Sequence, residues 1–300
     1  MPPLMPHPPH HNPDPALRPD AIASRSASAS VFFRVRRGRR AGGTRARRRR
    51  LVSIGLAVAS AAPLAAWSPD GQIAIGRSAA SIAPRDFWRQ LERHEGEYLE
   101  GLIAPFRDRD PLAHQVNGDG TGTLVEVLRQ EVERTISAIR DHHPFEQVAY
   151  RAGVVVHYVN DANNPLNCSS SDRSEGQYYA DFLDYLDSTA PRTPILFYGL
   201  DAALERGDLD GFIERVVARC RRAYPLVGSE YRRIAKLPGR RYFDDRSTAF
   251  GLASVARSRA VTDAALLLRY VWLQAGGADW RRPPHAEEDR LLLLPKPTDG

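Results

Sequence analysis

Beyond residue 80 apolar residues recur every three to four positions through most of the chain, a period that predicts helices. Residues 81–84 supply a helix start, and Phe87, Leu91, Glu95, Tyr98 and Leu102 follow at helical spacing. Residues 117–123, rich in Gly, Asn and Thr, predict a loop. Leu124, Leu128, Val132, Ile136 and Ile139 form the next stripe. Pro144 stands at a first-turn position, and residues 145–162 read as a helix that Asn163-Asn164-Pro165 ends. Inside it VVVHYV also suits a buried strand by its β-branched content, but no partner strand of similar quality occurs, so the helix is kept. Residues 174–186 predict a shorter helix with Tyr178, Phe182 and Tyr185 on one side. Residues 209–224 predict another, and residues 248–275 a long one ended by Gly276-Gly277. The expected fold class is all-α, a single multi-helix domain over residues 67–280, with 281–300 as a C-terminal tail. The LLLL run in that tail either packs as a final extended segment or stays disordered.

The beginning of the chain has no such period. Residues 1–44, rich in Pro, His, Ala and Ser at the start, read as a disordered extension or upstream read-through from a misassigned start. Residues 45–66 read as an export signal: an arginine run, a short apolar stretch over 51–62, and the small residues Ala65 and Ala66. The apolar stretch is short of the ~20 residues that a membrane-spanning helix needs. Cleavage after Ala66 would make Trp67 the new N-terminus. Export, to a periplasmic or extracellular site, would put Cys168 and Cys220 where a disulfide can persist.

Charge changes meaning once the chain is divided there. The formal net charge is +6, but twelve arginines against Asp14 and Asp20 put +10 on residues 1–66 and leave −4 on residues 67–300. The working protein is then mildly acidic, and net charge gives no support to long-range steering of a polyanion. Hydrophobic residues at 42% and charged residues at 26% exclude a fully disordered chain and a polytopic membrane protein. Two cysteines are too few for a disulfide scaffold or a cysteine zinc finger. No integral membrane segment is expected in the mature chain.

The chemistry concentrates in GVVVHYVNDANNPLN, residues 153–167. His157 and Asp161 are four apart on a predicted helix and project from one face. An imidazole and a carboxylate so stacked can share one divalent metal or bridge two, although the same spacing also occurs as an ordinary surface pair. This stretch resembles the zinc-dependent phospholipase C and fungal-type single-strand nuclease superfamily, whose pattern is H-Y-x-x-D followed by P-L-H. Gly101-Leu102-Ile103-Ala104-Pro105 followed by His114 resembles the family segment G-x-x-x-P-D…H, and residues 247–276 resemble the long Ala-rich helix of bacterial relatives. The resemblance implies a compact α-helical protein of the phospholipase C and nuclease architecture around a zinc cluster. In that family an opening tryptophan binds zinc through its amino group and carbonyl oxygen, which casts Trp67 in that part. The implied metal ligands are Trp67, His114, His157 and Asp161.

Four positions depart from the family pattern. Gln72 and Asn167 stand where histidines belong, Phe106 where an aspartate belongs, and Gln177, paired with Asp181, where another histidine belongs. Amide oxygens are poor replacements for imidazole on zinc. Asp108 or Asp110 could reach in from a shifted loop, and Cys168 could ligate as a thiolate instead of pairing. One or two zinc ions are therefore expected. The implied function is an exported metal-dependent phosphoesterase-like hydrolase with a reduced metal set. Its substrate would be a phosphodiester small molecule, a phospholipid head group or single-stranded nucleic acid. The alternatives are a catalytically inactive relative that acts as a binding or interaction protein, and an unrelated exported helical protein. Elsewhere, His142-His143 and Asp244-Asp245 read as solvated, and His94 as exposed on a polar stretch of helix.

Overall fold

A computed structural model describes residues 67–108, 110–169 and 174–278. The expected extension, the export segment and the tail with its LLLL run lie outside the described residues. The protein is all-α, with nine α-helices and no strand among the described residues. In chain order they are α1 (Pro69–Ile82), α2 (Arg85–Arg93), α3 (Glu95–Ile103), α4 (Leu124–Arg140), α5 (Phe145–Asp161), α6 (Tyr179–Thr189), α7 (Ala202–Glu205), α8 (Leu209–Ile234) and α9 (Thr248–Gln274).

The expected stripes over α4, α5 and α9 became helices with nearly the expected bounds, and VVVHYV is helical. The differences have local causes. Helix α1 lies before the expected start. Its signals are a cap and a proline rather than a stripe: Ser68 accepts a hydrogen bond from the Gly71 amide, and Pro69 opens the first turn. Its buried face includes Gly76, Ala79 and Ala80, too small to register as a strong apolar period. The stripe from Phe87 to Leu102 spans two helices, because His94 leaves helical geometry at φ −112°, ψ 38°. His94 is half-buried and stacks on Phe145 at 5.8 Å, contrary to the exposure expected of it. The stretch before α6 is a 3-10 turn over Ser174–Tyr178 rather than α-helix. Helix α8 continues ten residues past Tyr224, through Pro225. Pro225 faces solvent, so its lost hydrogen bond is left to water, while buried Tyr224, Val227 and Tyr231 hold the turns around it.

Two apolar clusters fill the interior. One joins α2, α3, α4 and α5 to the C-terminal half of α9 through residues such as Phe87, Leu102, Leu128, Val155 and Leu267. The other joins α1, α6 and α8 to the N-terminal half of α9 through Trp67, Phe182, Tyr231 and Val261. Burying each such side chain is worth about 1.5–3 kcal/mol, which is why α5, apolar nearly all round, becomes the central helix.

One contact positions the site. Helices α3 and α5 cross at Gly101 and Gly153. A Cβ on Gly101 would overlap the Tyr150 carbonyl, and one on Gly153 would overlap the Tyr98 carbonyl. Only glycine allows backbones to approach this closely. The approach brings the Leu102 carbonyl to the His157 ring. A Cys168–Cys220 disulfide ties the turn that follows α5 to α8, so the thiolate alternative for Cys168 does not arise.

Candidate metal centre

Three side chains converge at the C-terminal end of α5. His157 and Asp161 are both 0% exposed, and His114 is 4% exposed. His157 and Asp161 come from one helix face, as their spacing predicts. His114 ends the 3-10 turn Pro111–His114, whose N-terminus is capped by Asp110 through the Leu112 amide. Asp110 therefore shapes the turn rather than reaching in as a ligand. Asp108 likewise accepts from the Tyr158 hydroxyl at 3.1 Å.

The contacts fix the protons. His157 Nδ1 lies 2.8 Å from the Leu102 carbonyl, which can only accept, so Nδ1 carries hydrogen. In the neutral ring Nε2 is then a bare lone pair aimed at the other two groups. It lies 3.2 Å from Asp161 Oδ2 and 3.4 Å from His114 Nδ1. His114 Nδ1 sits 2.6 Å from the same Asp161 oxygen. With His157 neutral, one hydrogen on His114 serves both neighbours and the His157 nitrogen and the Asp161 oxygen face each other as acceptors; with a second ring proton, His157 Nε2 donates to Asp161. Burial alone would disfavour a charged His114, but the hydrogen bond and charge of Asp161, with Asp108 and Asp110, outweigh it and raise its pKa. Burial would likewise raise the Asp161 pKa, and the two imidazoles outweigh it and lower it.

This donor set suits a metal. Zinc holds imidazole nitrogen and carboxylate oxygen at about 2.0–2.2 Å, which sets tetrahedral donors about 3.3–3.5 Å apart. Two of the three edges, 3.2 and 3.4 Å, already approach that spacing. The third is contracted to a hydrogen bond, and opening it is the rearrangement that loading an ion would require. His114, His157 and Asp161 could thus hold one metal ion.

The replaced positions surround the triad in different ways. Gln72, fully buried, donates from Nε2 to Asp161 Oδ1 at 3.2 Å and accepts from Asn160 Nδ2 at 2.5 Å. Phe106 meets the His157 ring edge-on at 5.0 Å. Asn167 donates to the His114 carbonyl at 2.9 Å, and its own backbone carbonyl accepts from Val116 at 2.8 Å, so it clamps the strand of chain that carries His114. Trp67 is buried, and its indole donates to the Asn160 carbonyl at 2.9 Å, one residue from Asp161. The Gln177–Asp181 pairing does not belong here. Gln177 is exposed, and Asp181 accepts from the Tyr231 hydroxyl and the Gly239 and Arg240 amides, which moors the chain leaving α8.

Three partners of the site went unnoticed in the sequence. Asn160 sits between Trp67 and Gln72. Tyr179 donates to Asn167 at 3.1 Å. The Leu102 carbonyl orients His157. A buried Asn beside a ligand candidate was the available signal for the first; the others depend on tertiary contacts.

No protein-family model matches the sequence, and no curated protein matches it. Among solved structures the chain is similar to the alpha-toxin of Clostridium perfringens from avian strain SWCP, at 13% identity and a TM-score of 0.49. The match covers 71% of this chain and 66% of that one, so the chain spans just under two thirds of the toxin's length. No helix among the described residues is long and apolar enough to cross a membrane.

Proposed function

We propose that this chain is a non-hydrolytic protein of the phospholipase C and nuclease type that keeps one divalent metal as a buried structural centre. The observation that carries the reading is burial of the whole donor set: His157 and Asp161 expose nothing and His114 only 4%. A hydrolytic metal needs an open coordination position where water and substrate meet, whereas a structural one is closed. His114 and His157 would hold the ion through imidazole nitrogen and Asp161 through carboxylate oxygen; a closed tetrahedral site needs a fourth donor, and the amino group of Trp67, freed by cleavage, would supply it. When bound, zinc supplies positive charge that neutralises Asp161 and satisfies the facing lone pairs.

The rest of the chain's residues support a closed centre. The Leu102 carbonyl holds the His157 tautomer, and Gln72 holds the second Asp161 oxygen. Phe106 covers the His157 edge with hydrocarbon where the family pattern has a water-orienting carboxylate. Export of residues 67–280 as the mature domain belongs to the same reading, and the Cys168–Cys220 disulfide supports it, since disulfides persist in oxidising compartments.

Elemental analysis of purified protein, together with assays on bis(p-nitrophenyl) phosphate, p-nitrophenylphosphorylcholine and single-stranded DNA, tests the reading. One zinc per chain with no turnover above a buffer control is expected. Zinc-dependent turnover that Asp161→Asn abolishes would overturn it in favour of a reduced-metal hydrolase.

A further inference from the structure

Helices α8 and α9 form an antiparallel pair whose outer seam is not filled. Their register is set by the Arg219–Asp263 ion pair at 2.5 Å near one end and by Glu230 bonding Thr248 near the other. Between these ties runs a groove of about 280 Å³, just below the ~300–1,000 Å³ typical of ligand pockets and so suited to a small ligand. Helical spacing decides what lines it. On α8, Arg219, Arg222, Ala223 and Leu226 share a face, and on α9 Leu252, Val255, Ala256 and Arg259 do. Ala223 and Ala256 are the reason the seam stays open. The Cys168–Cys220 disulfide and Pro165 close its floor.

The antiparallel register sorts these residues by chemistry. Arg219, Arg222 and Arg259 gather at the Asp263 end, and Leu226, Leu252 and Val255 at the Thr248 end. Leu226 is 44% and Val255 50% exposed, so with Leu252 they offer an apolar wall to a ligand in the groove. Among the described residues that line the groove or bond its arginines, the carboxylate is Asp263, which is already taken by Arg219 and Asn163. Arg222 and Arg259 make no ion pair among the described residues. Arg259 lies over the Tyr198 ring at 3.6 Å, which fixes its guanidinium. Burial and the Arg219 charge hold Arg259 below its ordinary pKa, the mark of crowded cations. The Arg219 Nε is buried and has no acceptor.

We propose that this groove binds a small amphiphilic anion: an oxyanion head held by Arg219, Arg222 and Arg259, and an aliphatic tail along Leu226, Leu252 and Val255. Arginine forks match phosphate and carboxylate oxygens, so both heads share the needed chemistry. The groove is separate from the metal centre, and the proposal stands whether or not that centre is loaded.

Isothermal titration of the full chain with n-octyl phosphate, octanoate, inorganic phosphate and 1-octanol, each below its micelle concentration, tests it. At least one octyl anion should bind tenfold or more tighter than both inorganic phosphate and octanol; a preference between octyl phosphate and octanoate identifies the head. The double variant Arg222→Gln/Arg259→Gln should weaken that binding at least tenfold. Ala223→Phe, which fills the seam without touching a cation, should do the same. Circular dichroism melts verify that each variant is folded, and zinc content is read in parallel. Inorganic phosphate binding as tightly as the octyl anions would overturn the proposal, as would octanol binding as tightly. Binding that survives both variants would also overturn it.

Discussion

Gly153 lies directly against the backbone of Tyr98, and four residues further along α5 His157 donates to the Leu102 carbonyl, four residues further along α3. The crossing of the two helices and the orientation of the imidazole are one geometric fact. A methyl group on Gly153 must push α5 away from α3, and the Nδ1 hydrogen bond stretches with it. Gly153→Ala should destabilise the protein by about 1–3 kcal/mol, the usual cost of overpacking. It should also weaken zinc binding, because outer hydrogen bonds to a ligand histidine typically contribute about 10–100-fold in metal affinity. Urea unfolding and competition with a zinc-binding dye measure the two effects. A stability loss with unchanged zinc affinity would separate the crossing from the site.

The Cys168–Cys220 disulfide spans 52 residues and joins the turn after α5 to the middle of α8. Replacing both cysteines by alanine should lower stability by about 2–4 kcal/mol. Far-UV circular dichroism in urea is the measurement. His114 is held from the same turn by Asn167, the neighbour of Cys168, so the variant should also bind zinc less tightly. A variant as stable as the parent would mean that α8 and the turn are docked by packing alone.

The helical stripes were legible because α4, α5 and α9 bury wide apolar faces, and burial leaves its period in the sequence. Helix α1 was not, since Gly76, Ala79 and Ala80 pack by closeness rather than by bulk, and closeness has no period. At the site, His157 and Asp161 were legible as a helix pair and His114 only through a family likeness. Their common meeting point depends on the α3–α5 approach, which two glycines permit but do not announce. Gln177 failed for the opposite reason. The family pattern aligned it with a replaced histidine paired with Asp181, but a 3-10 turn precedes α6, Gln177 is exposed, and Asp181 serves the loop after α8.

Asp201 caps the short helix α7, accepting from the Ala203 and Leu204 amides, and pairs with Arg215. Burial would raise its pKa, but the Ala203 amide and Arg215 outweigh it, and the folded value lies below the usual one. Because the folded pKa is depressed, the stability it adds is complete above the unfolded carboxylate value, about 3.9, and is lost as pH falls through the folded value. Asp201→Ala should cost about 1 kcal/mol at neutral pH, as a lost cap does. The cost should shrink below pH 4. Melting temperatures of parent and variant from pH 3 to 7 measure this; a constant difference across that range would contradict the assignment.

Gln72 reaches one oxygen of Asp161 while His114 and His157 meet the other, so a histidine at position 72 would place a new imidazole on the free side of that carboxylate. A second metal could then share Asp161. Phe106→Asp would return a carboxylate beside His157, and Asn167→His an imidazole beside the chain that carries His114. Each change also removes something: Gln72→His gives up the Asn160 contact, and Asn167→His the clamp on His114. The triple variant should therefore be less stable without metal than the parent, yet hold more zinc, rising from about one ion per chain toward two or three, and gain stability steeply as zinc is added. Elemental analysis with melting curves at graded zinc concentrations reads both effects. A triple variant that folds and still holds no more zinc than the parent would mean that positions 72, 106 and 167 do not face a latent cluster, and that the His114, His157 and Asp161 site stands alone.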